Sequence, residues 1–223
     1  MSGARVVAFV GGTGPAGFGL AARFAKGGVP VVIGSRSVER AEEARTQVLE
    51  RVPDADCRAM LNEDAIAAGD IVFLTIPFQA TRHTVETLAG HLAGSIVVSM
   101  ANPVWVHAGK VRADTPPAGS LAEEVQELVP SARVVGAFHE VNVRKFPLID
   151  KPINSDTIVT SNDPEAKRMV MDLVRHVDGM RAVDGGELLN TRYVEGFVCV
   201  LVTANFIYKA SSALRLTGLP EEQ

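Results

Sequence analysis

The chain predicts an α/β fold, a doubly wound parallel sheet with a small C-terminal portion, and three observations predict it. The first is a short apolar strand over residues 6–10 that runs directly into Gly11-Gly12-Thr13-Gly14-Pro15-Ala16-Gly17 and then a helix-forming run from Leu20. The second is a series of continuous apolar runs, at residues 30–33, 71–76, 95–99 and 134–138, of the kind that strands buried on both faces require. The third is the helical pattern between those runs, each with one apolar stripe, an alternation that covers both faces of a parallel sheet.

The glycine turn carries the most chemistry. Its G-x-G-x-x-G spacing lies between a strand and a helix, which is the Rossmann-type arrangement for a dinucleotide. Gly12 permits the tight turn, Gly14 lets a pyrophosphate approach the backbone, and Gly17 lets the helix pack on the strand. The helix N-terminus then offers unpaired N–H groups to the anion. Gly12, Thr13, Gly14, Pro15, Ala16 and Gly17 are therefore predicted to bind the coenzyme.

The second strand selects which dinucleotide. An NAD site places Asp or Glu about 20 residues beyond the glycines to bond the ribose hydroxyls. Here the strand end reads Gly34-Ser35-Arg36, with Arg40 one turn into the next helix. A carboxylate would repel a ribose 2′-phosphate, whereas a guanidinium offers it paired donors. NADP(H) is expected on Ser35, Arg36 and Arg40, the competing view being that both arginines are solvated surface cations.

The remaining elements follow in order. Val38, Ala41, Arg45 (by its stem), Val48, Leu49 and Val52 mark the inner stripe of a helix. Residues 57–60 form a weak strand, 62–69 a short helix and 81–92 a longer one. The stretch 104–119 is rich in Pro, Gly and charge and reads as a loop. Ser120 and Glu123 form a capping box before another helix. Residues 157–160 read as a strand, Asp163-Pro164 opens a helix with Ala166, Met169, Val170, Leu173, Val174 and Val177 inward, and 180–183 is the last strand. Helices resume near Glu187. Residues 197–204 are apolar on every face, so that helix belongs in the core or against another subunit.

Composition bounds the function. At 223 residues, 47% hydrophobic and 22% charged, the chain suits one α/β domain with at most a small appendage. A formal charge of −4 gives no support to nucleic-acid binding. Cys57 and Cys199 suit a reducing cytoplasm, and no apolar run reaches the roughly 20 residues of a membrane span. The five histidines lack metal-ligand spacing, so no metal is expected. No G-x-S-x-G elbow occurs, and neither Tyr193 nor Tyr208 has a Lys four residues later, which excludes the short-chain dehydrogenase pair.

In an open α/β sheet the ligand lies beyond the carboxyl ends of the strands. The candidates there are Thr13 to Gly17, Ser35 and Arg36, then Thr75-Ile76-Pro77, Asn102-Pro103, and His139-Glu140-Val141-Asn142. Most are small or apolar, which suits clamping a flat ring. His139 is the titratable group at a strand end, either a general acid or a neutral imidazole that shapes the pocket. Glu140 points to the opposite side if the chain is extended there, so the two are not read as a dyad. Arg144, Lys145 and Lys151 form a small basic group, read as a solvated face.

Gly11-Gly12-Thr13-Gly14, Gly34-Ser35-Arg36, Leu74-Thr75-Ile76-Pro77, Asn102-Pro103, Ala137-Phe138-His139 and the run from Leu189-Asn190 to Val194-Glu195 together resemble the NADPH-dependent reductases of the deazaflavin coenzyme F420. The resemblance covers nearly the whole chain. It implies reversible hydride transfer between F420 and NADP(H), a dimeric or higher assembly, and two portions: an NADP-binding domain over residues 1–145 and a smaller one over 146–223 that closes the cleft and contributes to a subunit interface. It places the 2′-phosphate on Ser35, Arg36 and Arg40, and the nicotinamide among Thr13, Ile76, Pro77 and the residues after Phe138. The deazaflavin falls near His139 and Val141, with Asn190 in the same family motif as a further contact. Two stretches depart from the family pattern. Glu140 to Arg144 brings charge and bulk where small residues are usual, and Val104 to His107 carries Trp105, which either stacks on a ring or fills the loop. Two other functions fit the same coenzyme site: an NADPH-dependent reductase of an imine or carbonyl metabolite with His139 as proton donor, and a non-catalytic NADP(H) sensor.

Overall fold

Alternate residues of the first strand supply the two halves of the core. Val7 and Phe9 face one apolar layer, Ala8 and Val10 the other, and all four are fully buried. A strand buried on both faces is what a central parallel position requires. The computed structural model describes residues 5–219.

Strands and helices alternate as β1 (Val7–Val10), α1 (Pro15–Lys26), β2 (Val31–Ser35), α2 (Val38–Arg51), β3 (Cys57–Leu61), α3 (Asn62–Ala68), β4 (Ile71–Leu74), α4 (Phe78–Leu92) and β5 (Ile96–Ser99). A hairpin of β6 (Val104–His107) and β7 (Lys110–Ala113) follows, then α5 (Leu121–Leu128), β8 (Arg133–Gly136), β9 (Ser155–Ser161), α6 (Pro164–Val174), β10 (Met180–Asp184) and α7 (Thr191–Tyr208). The main sheet has the order β10-β9-β8-β5-β4-β1-β2-β3. All neighbours are parallel except β8 and β9. The strand order reverses between β1 and β4, the switch point at which such sheets bind ligands.

Caps match the residues that form them. The Ser120 hydroxyl accepts from Glu123 N–H at 3.1 Å and donates to the Glu123 carboxylate at 2.8 Å. Asp163 accepts from Ala166 N–H at 2.8 Å, with Pro164 at the first helical position. Four rings, Phe9, Phe24, Phe73 and Phe138, pack with centroids 5.4 to 6.2 Å apart under the carboxyl end of the sheet. Each such pair contributes about 0.5–1.5 kcal/mol beyond its buried area.

Three local expectations change. Residues 104–113 are an exposed antiparallel hairpin, not a loop, turned by Ala108 and Gly109 at φ 47° and 74°. Positive φ at both central residues is the turn geometry that suits strand twist. Val38 is exposed at the start of α2 and lies off its inner stripe. The apolar helix α7 is not a core helix: Phe197 and Val200 are 41% and 58% exposed.

Candidate functional site

The strand registers bring the predicted residues to one edge. Val10 pairs with Leu74, so the glycine turn and Thr75 emerge side by side. Thr75 anchors the junction by donating its hydroxyl to the Val10 carbonyl at 2.8 Å. Ser99 pairs with Gly136, so Asn102 and His139, each three residues on, emerge together.

In the turn itself, the left-handed residue is Gly11, at φ 73°, which differs from the expectation that Gly12 makes the tight bend. Gly12 is required for a different reason: a Cβ there would lie 2.9 Å from Phe9 Cβ. Gly17 packs α1 against the turn so closely that a Cβ would meet Gly12 Cα at 2.6 Å. A Cβ added at Gly14 would meet nothing closer than Gly11 O at 3.6 Å, so that side of the backbone is open. Gly14 caps α1 without a side-chain bond and Pro15 follows, which leaves the first helical N–H groups without a side-chain partner, the arrangement that suits an anion. Thr13 and Ala16 are half-buried beside them.

Asn62 is a turn residue that local pattern reading missed. It opens α3, is buried, and its side-chain oxygen accepts from Gly11 N–H at 3.1 Å. The pair is 51 positions apart, and an Asn at a strand end was the available signal.

At the end of β2, Ser35 is buried and its hydroxyl accepts from Ser37 N–H at 3.3 Å. Arg36 and Arg40 are exposed and form no ion pair with described residues. The neighbouring Glu39 is turned aside by the Ser37 hydroxyl, which donates to it at 2.5 Å. Two guanidiniums without ion-pair partners among the described residues thus stand at the N-terminus of α2.

Ile76 is half-buried directly over Gly11, and Pro77 is exposed at the start of α4. Asn102 spends both polar ends on His139: Nδ2 donates to the His139 carbonyl at 2.9 Å, and Oδ1 lies 3.2 Å from Nδ1. Pro103 is buried behind it. His139 is 2% exposed, and burial lowers its pKa to about 4, with the Ala101 carbonyl pulling weakly the other way. The imidazole is therefore neutral at pH 7.

Glu140 is buried and turned away from His139. Its carboxylate accepts from Ile158 N–H at 3.1 Å and from the Thr157 hydroxyl at 3.3 Å. There the chain departs from β8, leaving the edge of β9 without a strand partner, and the Glu140 side chain takes up the exposed N–H. Val141 is buried alongside. Asn190 directs its side-chain amide to the Gly185 carbonyl at 2.8 Å, ordering the approach to α7.

The basic group after His139 has a different organiser. Arg23 is buried in α1 and donates to the carbonyls of Lys145, Phe146, Leu148 and Lys151 at 2.7 to 2.9 Å. Trp105 is half-exposed, edge-on to Phe78 with centroids 4.9 Å apart, and its indole N–H donates to Asp114, so it fills the hairpin.

The chain is similar to known proteins of one family. A family model described as NADP oxidoreductase, coenzyme F420-dependent, matches residues 6–103. The chain is 40% identical over 220 residues to the F420-dependent NADP reductase of Methanocaldococcus jannaschii, covering 96% of this chain and 98% of that one. It is 32% identical over 224 residues to the F420-dependent NADP reductase of Methanothermobacter thermautotrophicus, covering 97% of each. A crystal structure of a protein from an Arthrobacter species superposes with a TM-score of 0.79 over 96% of this chain and 100% of that one. At 22% identity that likeness speaks to the fold.

Proposed function

The chain belongs to the family of coenzyme F420-dependent NADP reductases, and on that premise we propose how its residues divide the work of hydride exchange between NADP(H) and the deazaflavin. The observation that carries the reading is the strand-end array. An anion-binding turn, two uncommitted arginines and a buried imidazole emerge along one sheet edge with no hydrolytic group among them.

Gly12, Thr13, Gly14, Pro15, Ala16 and Gly17 receive the pyrophosphate on the N-terminus of α1. Ser35, Arg36 and Arg40 receive the 2′-phosphate. Thr75, Ile76, Pro77, Asn102 and Pro103 border the nicotinamide, while His139, Val141 and Asn190 border the deazaflavin. Residues 146–223 close the site, a division supported by the bond from Asn142 to Ser211 at 3.0 Å, which brings the C-terminal tail onto the strand-end loop.

The redox chemistry belongs to the coenzymes, between which a hydride passes in either direction. The protein supplies alignment and a water-poor contact. Of the two roles open to His139, its burial and neutrality support pocket shaping over proton donation. The exposed apolar stripe of α7 supports association of copies, and the two free cysteines suit a reducing cytoplasm. Among the described residues no helix is long and apolar enough to cross a membrane.

The test is to mix the protein with NADPH and oxidised F420 and follow the deazaflavin absorbance. Loss of that absorbance is the expected result. No loss, with NADPH binding retained, would overturn the reading in favour of an imine or carbonyl reductase.

A further inference from the structure

Asn102 and His139 close on each other twice, and the two contacts together fix a proton. Asn102 Nδ2 donates to the main-chain carbonyl of His139. A carbonyl only accepts, so the amide nitrogen is committed there and the atom facing His139 Nδ1 is the amide oxygen. That oxygen also only accepts. A hydrogen bond across the 3.2 Å gap therefore requires the hydrogen to sit on Nδ1. A neutral imidazole carries one such hydrogen, which leaves Nε2 as a lone pair. Nε2 is buried and has no hydrogen-bond partner among the described residues.

The backbone is held in an unfavourable conformation to place this ring. Phe138 has φ 64° and is 1% exposed, although bulky residues avoid the left-handed region. It is kept there by its ring in the aromatic cluster and by its N–H, which donates to Thr157 Oγ1 at 2.6 Å. On the other side Glu140 is fastened to β9. Strain of this kind persists only where the surroundings over-determine it, and it gathers at ligand-binding sites.

We infer that Asn102 is a positioning residue that locks His139 in the Nδ1–H tautomer, so that Nε2 is presented as an acceptor to a ring N–H or O–H of the hydride partner. The side of a flat heterocycle that meets His139 must then donate. A partner offering a carbonyl at that point would face two lone pairs and be rejected. The identity of the partner rests on the reading of the site given above, whereas the tautomer stands without it.

Proton–nitrogen NMR on protein with isotope-labelled histidine tests both parts, with the His139 signal assigned by its loss in His139→Gln. At neutral pH the wild type should carry hydrogen on Nδ1 and none on Nε2. Asn102→Ala should move the ring toward the Nε2–H tautomer. It should also raise KM for oxidised F420 about tenfold, and by more than it raises KM for NADPH, whose nicotinamide Asn102 also borders. Asn102→Asp retains an acceptor for Nδ1–H but sets its second oxygen against the His139 carbonyl, so it should keep hydrogen on Nδ1 while losing part of the F420 affinity, and it serves if the alanine variant fails to fold. Hydrogen on Nε2 in the wild type, an unchanged tautomer in Asn102→Ala, or a KM increase confined to NADPH overturns the role of Asn102. A wild type with the expected tautomer that does not reduce F420 overturns instead the identity of the partner and the functional reading beneath it.

Discussion

The carboxylate of Glu195, in the second turn of α7, sits across the N-terminus of α5 and accepts the backbone N–H of Leu121 at 2.9 and 3.0 Å. Ala122 N–H reaches it at 3.3 Å. Burial pushes its pKa up to about 8 against those N–H groups, and burial pushes Glu140 up to about 7. An acid whose folded pKa lies above its ordinary value holds a proton that the unfolded chain has lost, so stability falls as pH rises through that interval. His139, lowered to about 4 from 6.5, works the opposite way but only below pH 6.5. Between pH 6.5 and 8 the two carboxyls act alone, and stability should drop by on the order of 1–2 kcal/mol, a melting shift of about 4 °C. Glu195→Gln should remove most of that slope in melts at fixed protein concentration. An unchanged slope would show that the carboxylate stays ionised against α5.

Arg36 gives the clearest prediction about the coenzyme. It is exposed, without an ion-pair partner among the described residues, and immediately follows the buried Ser35. Arg36→Ala should weaken NADPH binding at least tenfold, about 1.4 kcal/mol, through loss of the charged contact to the 2′-phosphate proposed above. NADH binding should barely change. Titration of both coenzymes checks this, and an undiminished preference for NADPH would remove Arg36 from the site.

Asp156 explains how the C-terminal tail stays on the body. Its buried carboxylate accepts from Arg181 at 2.7 and 3.0 Å, Arg215 at 3.0 Å and Leu216 N–H at 2.7 Å. Burial alone would raise its pKa, yet Arg181, the Leu216 N–H and Arg215 together hold it below the usual carboxylate range. Asp156 N–H also donates to the Leu214 carbonyl at 2.8 Å, on the stretch of β9 that β8 has left. Asp156→Ala should cost about 3 kcal/mol by stranding its partners. It should also release the tail, read as faster hydrogen exchange over residues 209–216 with exchange in β1 and β4 unaltered. Protection of the tail in that variant would assign its docking to other contacts.

The parts of this structure legible from sequence are those carried by local periodicity. Continuous apolar runs marked β1, β2, β4, β5 and β8, and caps at Ser120 and Asp163 marked helix starts, because each signal involves neighbours a few residues apart. The strand-end rule then placed Thr75, Asn102 and His139 beyond neighbouring strand ends, where the parallel registers bring them. What stayed hidden depends on distant pairs. Asn62 with Gly11, Arg23 with the carbonyls of 145–151, and Glu140 with β9 leave no periodic trace. The hairpin at 104–113 was masked by charge, although Val104, Val106 and Val111 flank a turn at Ala108-Gly109. Its exposed strands bury too little to write an apolar run.

The surface of α7 leads to the last prediction. Only Thr191, Glu195 and Val198 of this helix are buried. Tyr193, Phe197, Val200 and Ile207 follow one another at helical spacing and are 69%, 41%, 58% and 68% exposed. A continuous apolar stripe of this kind on a free subunit marks an interaction face. The proposal that copies associate makes a second copy of the chain the expected occupant, packed about a two-fold axis. The wild type should therefore elute as a dimer or larger species, and Val200→Glu should shift it toward the monomer. The substitution adds charge to a solvent-facing position of the subunit, so it should leave the subunit folded, which circular dichroism would check. A wild type that is monomeric at all accessible concentrations would leave the stripe to a different partner.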